Sequence, residues 1–150
     1  MSTGTTLPAV KRAIVDALAA RPGMAGVQVS YEMPQRGIAA ESVWFGEDTE
    51  TETEIPVMKA GTKHVDETYA LPLVVQVLVT DGRDAETADL RAAALLAQVQ
   101  QCLAVQPRII PAIQWAEMAG WVHHVGPIGD GTSRGSRFDV SVRVRARLSP

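Results

Sequence analysis

The sequence has little of several things. It holds one cysteine, Cys102, in 150 residues, which excludes an internal disulfide framework and any cysteine-rich zinc site. Lysine is scarce: of 14 basic residues only Lys11, Lys59 and Lys63 are lysines. That arginine bias, with abundant alanine, suggests a GC-rich genome and says nothing about mechanism. No apolar run approaches the roughly 20 residues that span a bilayer, so no membrane partner is expected. The opening MSTGTTLPAVKR has no basic segment followed by an apolar one, so no secretion signal is expected and the chain should fold in a reducing cytoplasm. The net charge of −3 lacks the basic excess of a nucleic-acid binder. What remains, 46% hydrophobic and 21% charged, is the composition of a folded soluble protein, and the length predicts a single domain over 1–150.

The patterning is clearer than the composition. Thr6 is a candidate N-cap with Pro8 in the first turn. Val10, Ala13, Ile14, Ala17 and Leu18 then recur at helical spacing until Pro22-Gly23. Val27, Val29 and Tyr31 alternate with polar residues as a strand that stops near Pro34, and SVWFG at 42–46 is a second short strand. TYALPLVVQVLVT at 68–80 is the strongest strand. It is apolar on both parities, which predicts cover on both sides, and Pro72, which cannot donate to a ladder, predicts an edge or bulge. Asp84 can cap a long helix whose buried stripe is Leu95, Leu96, Val99, Cys102 and Leu103, ending before Pro107. IQWAEMAGWVHHV at 113–125 reads as a strand and GPIGDGTSRG at 126–135 as a Gly-rich loop. SRFDVSVRVRARLSP closes the chain with strict period-2 alternation: Phe138, Val140, Val142, Val144, Ala146 and Leu148 on one parity, and Arg137, Asp139, Ser141, Arg143, Arg145 and Arg147 on the other. The order α-β-β-loop-β-α-β-β predicts an α+β fold: a mainly antiparallel β-sheet with two helices packed on one face and a long C-terminal β-hairpin.

Segment 47–67 is different in character. Glu47, Asp48, Glu50, Glu52, Glu54, Asp66 and Glu67 stand against Lys59 and Lys63. Thr/Glu alternation is compatible with an exposed ribbon, but the lack of apolar residues favours a mobile acidic loop. This loop and 126–135 are expected to be disordered in a free subunit and to order on assembly.

Motifs for chemistry are absent or fail on context. Gly131-Thr132-Ser133-Arg134-Gly135 matches G-x-S-x-G, yet a strand rather than a helix follows and no histidine lies beyond Ser133, against the hydrolase order. The glycines at 126, 129, 131 and 135 lack the G-x-x-x-x-G-K-[ST] spacing and the helix N-terminus of a phosphate loop. His123 and His124 are neighbours on a strand and point to opposite faces, so they do not chelate one metal. The acidic run lacks the spacing and glycine of a calcium loop. The C-terminal arginines lack the interleaved aromatics of a nucleic-acid surface, and a solvated strand face with cross-strand partners accounts for them. No catalytic, cofactor-binding or metal-ligating residue is expected, nor any cofactor.

The order of elements, and three stretches in particular, resemble the tail terminator (tail-to-head joining) proteins of long-tailed bacteriophages. LPAVKRAIVDALAARPGMAGVQVSYEMP looks like that family's opening helix, Pro-Gly stop and strand. ETYALPLVVQVLVTDGRDAETADLRAAALLAQVQQCL looks like its central strand, turn and Ala-rich helix, and SRFDVSVRVRARL resembles its closing strand. The resemblance implies a virion protein that forms a ring, commonly a hexamer, on the last turn of the tail tube, ends tube polymerisation and presents a surface to the head connector, while genomic DNA passes through the lumen without sequence-specific binding. The implied partners are further copies of the chain, the tail tube protein and the neck protein. Interface candidates are Arg137, Arg143, Arg145 and Arg147, expected to meet acidic residues of a neighbouring subunit or partner ring, with Glu47, Asp48, Glu50, Glu52 and Glu54 as the matching set. Another assembly role, in head completion or as a minor tail protein, and a small ligand-binding α+β protein are the competing readings.

Overall fold

The computed structural model describes residues 4–55, 64–79, 85–128 and 133–148. Two helices, α1 (Leu7–Ala19) and α2 (Ala85–Val105), accompany six strands: β1 (Gln28–Ser30), β2 (Glu41–Phe45), β3 (Thr51–Glu54), β4 (Val65–Val79), β5 (Ile113–Ile128) and β6 (Ser133–Leu148). The strands form one sheet in the order β1-β2-β4-β6-β5, with β3 also on β4. Every pairing is antiparallel except that of β1 with β2. The fold is α+β, as the alternation of patterns predicts.

The helices and one face of the sheet share a hydrophobic core. The predicted stripe of α2 is buried at Leu95, Leu96, Val99, Cys102 and Leu103, and Ala88 and Ala92 extend it. On β6 the apolar parity from Phe138 to Ala146 is buried, and its neighbours across β4 are Val75, Leu73, Leu71, Tyr69 and Glu67. This register follows from the period of two: a slip by one residue would put the arginines against the helices. Burial of the Cys102 thiol raises its pKa, against the lowering effect of Arg21, which keeps it a packing group rather than a nucleophile.

Pro72 lies in the middle of β4, not at its end, yet the sequence constraint holds. β2 pairs with Leu73–Val77 and β3 with Asp66–Tyr69, so the two lie end to end along one edge of β4. Pro72 falls in the gap between them, where no ladder partner needs its missing N–H. Gly46 donates its N–H to the Pro72 carbonyl at 2.7 Å. A Cβ on Gly46 would approach the proline ring to 3.1 Å, so glycine lets the two backbones come together.

Three expectations are corrected. The 47–67 segment is not wholly loop: Thr51–Glu54 is a strand, all four residues exposed, and β4 begins at Val65, three residues earlier than the apolar run suggests. The ladder with β4 supplies backbone pairing that compensates for the lack of a buried face; residues 56–63 lie outside the described residues. The Gly-rich 126–135 stretch is likewise mostly strand, since β5 runs to Ile128 and β6 starts at Ser133. Gly126 takes φ +145°, a conformation glycine adopts easily, and pairs with Gly135. Residues 129–132 of that stretch are outside the described set. Finally, Thr6 occupies the N-cap position but makes no side-chain cap. Its hydroxyl is already engaged with Glu67 (2.5 Å) and Tyr69 (2.9 Å).

Candidate functional site

The sheet face turned away from the helices carries the open parity of β6. Asp66, at the start of β4, lies opposite Arg147, and Thr68 opposite Arg145. The Asp66 carboxylate is only 2% exposed. Arg147 donates to it through Nε at 2.7 Å and Nη2 at 3.0 Å, a bidentate pair, and Arg145 Nη2 adds a third bond at 3.1 Å. Arg145 also donates to Gln114 Oε1 at 3.1 Å and lies 3.8 Å from Glu54. The bonds from Arg147 first, and then Arg145, hold the Asp66 pKa below its ordinary value against the opposing effect of burial.

The four arginine candidates therefore differ in state. Arg145 and Arg147 are bound within the chain by Asp66. Arg137 pairs with Asp139 at 2.7 Å, and His124 reaches the other oxygen of that carboxylate at 3.0 Å. Arg143 is exposed, faces Glu117 across β5 and makes no ion pair among the described residues. On the acidic side, Glu52 and Glu54 align with Thr68 and Asp66, which puts them on the same face as the arginines. Glu47 lies elsewhere, in a cleft of about 570 Å³ with Lys11, Glu32, Met33 and Phe45, where the Lys11 ammonium sits 4.0 Å from the Tyr31 ring centroid. Asp48 and Glu50 are exposed between β2 and β3.

Asp66 is the residue that sequence reasoning passed over. The signal was present: it has the parity of Thr68 and Ala70, so it falls on the arginine side once β4 and β6 pair. The lowered pKa has a pH consequence. A carboxylate whose pKa is depressed on folding contributes stability above its unfolded value, near 3.8, and loses it as pH falls through the folded value. Asp66→Asn is expected to flatten the loss of stability below about pH 4 relative to wild type; urea unfolding at pH 7, 4 and 3 checks this, and parallel curves would refute it.

One constellation resembles a catalytic triad by composition. His123 Nε2 lies 3.0 Å from Asp89 and 2.9 Å from Ser136. Both contacts use the same nitrogen, whereas a relay needs the acid on one ring nitrogen and the hydroxyl on the other. Ser136 is fully buried. The arrangement ties β5 to α2, and His123 stacks on Phe138 at 4.7 Å. As the alternation predicts, His124 points to the opposite face. Ser133 of the G-x-S-x-G match begins a strand rather than a turn into a helix. Among the described residues no group of three His, Cys, Asp or Glu could hold a metal, and no helix is long and apolar enough to cross a membrane.

What the architecture defines is an α+β protein whose open sheet face carries charge and, among the described residues, no catalytic arrangement. No protein-family model and no curated protein sequence matches the chain. Among solved structures it is similar to a chain from the virion of a native gene transfer agent particle, with a TM-score of 0.63 and 15% sequence identity over 99% of this chain and 100% of that one. At that identity the likeness shows a shared fold along the full length.

Proposed function

We propose that this chain is a non-enzymatic structural protein of a phage or phage-like virion, and within that class a single-domain tail terminator: a ring, a hexamer by family resemblance, that caps the tail tube, ends its polymerisation and joins it to the head connector. The observation that carries the reading is the end-to-end fold similarity to a virion chain, which covers 99% of this chain and 100% of that one. The order of elements supports the finer role, since it is the order on which the terminator resemblance rests. A charged sheet face without a catalytic arrangement suits assembly by complementary surfaces.

Deleting the gene from a genome that produces the particles is the test. The expected outcome, by electron microscopy, is tubes longer than normal that lack heads, with normal length restored by supplying the chain. Headless tails of normal length would point instead to a head-completion or neck role, and unaltered particles would overturn the virion reading.

A further inference from the structure

We infer that the outer edge of β5 is the contact for a second copy of this chain, which docks head to tail with its opposite, acidic edge. The inference rests on the ring reading and names the surfaces that would build the ring.

β5 is the last strand of the sheet, so one side of its 16-residue backbone has no strand partner among the described residues. Edge strands ordinarily discourage pairing with lysine, proline or an inward charge. β5 carries a register shift between Met118 and Gly120, and the residues past it, 120–126 (GWVHHVG), contain no Lys, Arg, Asp, Glu or Pro. They also carry three of the large apolar side chains left in solvent: Trp121 is 49% exposed, Val122 58% and Val125 52%. The two histidines there are paired within the chain, His123 with Asp89 on the helix side and His124 with Asp139 on the open face. The stretch is therefore an apolar, uncharged pairing edge.

Charge selects the occupant. The sheet half built from β5 and β6 carries Arg134, Arg137, Arg143, Arg145 and Arg147 against Asp139, Glu117 and the Asp66 that binds Arg145 and Arg147. The opposite half, around β1 and β3, carries Glu32, Glu47, Asp48, Glu50, Glu52 and Glu54 against Lys11 and Arg36. The outer sides of β1 and β3 also have no strand partner among the described residues. Strand sense agrees with this choice. β3 is antiparallel to β4, β4 to β6 and β6 to β5, and β1 shares the sense of β2, so both acidic-edge strands run antiparallel to β5. A rotation about a ring axis that runs along the strands preserves sense and keeps the charged face on one side. Joining the edges then continues one antiparallel sheet and brings Glu52 and Glu54 towards Arg143 of the next copy, which has no ion pair among the described residues.

Single-cysteine reporters test this cleanly, because Cys102 is buried. Val122→Cys is mixed with Glu52→Cys or with Ser30→Cys in ring-forming samples and oxidised. Disulfide-linked dimers are expected in at least one mixture, at about tenfold or more over Val122→Cys alone. Efficient dimers of Val122→Cys by itself would mean back-to-back pairing and would overturn the proposal. Rings seen by microscopy with no cross-link in either mixture would overturn it too, while leaving the ring reading intact; over-long tubes in the deletion test that reading separately. Val122→Lys, at an exposed position, is expected to keep the wild-type melting temperature and weaken ring assembly at least about tenfold, equivalent to about 1.4 kcal/mol. Unchanged assembly of this variant would also count against the edge.

Discussion

Replacing Glu67 with Ala is expected to destabilise the protein by about 3 kcal/mol. The carboxylate is 1% exposed. Its Oε1 accepts from the Thr6 N–H at 2.6 Å and the Thr6 hydroxyl at 2.5 Å, and its Oε2 accepts from the Thr5 hydroxyl at 2.8 Å. Tyr69 OH joins through the same Thr6 oxygen, and burial, the dominant cause, pushes its pKa up to about 12. Glu67 thus anchors the first turn of α1 to β4 across 61 residues of sequence. An acidic group is favourable at this helix end, where unpaired N–H groups concentrate positive charge. Alanine would leave buried donors without an acceptor, which costs more than the bonds themselves contribute. Glu67→Gln keeps an acceptor oxygen and should lose about half as much. Urea midpoints at pH 7 separate the cases, and an alanine variant as stable as wild type would refute the anchor.

Trp44→Ala is expected to cost about 3–5 kcal/mol, the range for emptying a buried aromatic site. Trp44 is 4% exposed although it lies on the sheet face away from the helices, next to Val74, itself 5% exposed, with Ser30 on its other side. Neither Trp44 nor Val74 belongs to the helix-side core. They form a second buried patch, the partial cover that the doubly apolar β4 sequence predicts. Its extent is limited, since Ala70 on the same parity is exposed. Trp44→Phe should retain much of the stability because it refills part of the volume. A loss below about 1 kcal/mol for the alanine variant would mean that the patch contributes little to folding.

The arginine face illustrates a limit of charge reasoning. Opposite charge on β6 and the acidic segment suggested a contact between subunits, yet one acid in that segment, Asp66, already binds Arg145 and Arg147 within the chain. Changing Arg143, Arg145 and Arg147 together to Ser would strip a buried carboxylate of its partners, and the variant would lose fold and assembly at once. Arg143→Ser is the cleaner probe, because Arg143 has no ion pair to lose among the described residues.

The elements were legible in the sequence where burial imposes a period. The alternation from Phe138 to Leu148 and the α2 stripe from Leu95 to Leu103 each face a core, and a face that must leave water writes its spacing into the chain. Opposite sides for His123 and His124 follow from the same geometry. Residues paired through backbone alone leave no such mark: β3 has no buried side chain, so only its ladder with β4 makes it a strand. The clamps at Asp66 and Glu67 depend on contacts 79 to 81 and 61 to 62 residues away, and local pattern carries no information about such partners. The bare edge at 120–126 is of the same kind. Its apolar, uncharged composition can be read from the residues, but whether those residues end in a sheet or in its middle is decided by the order of strands, which the tertiary structure alone settles.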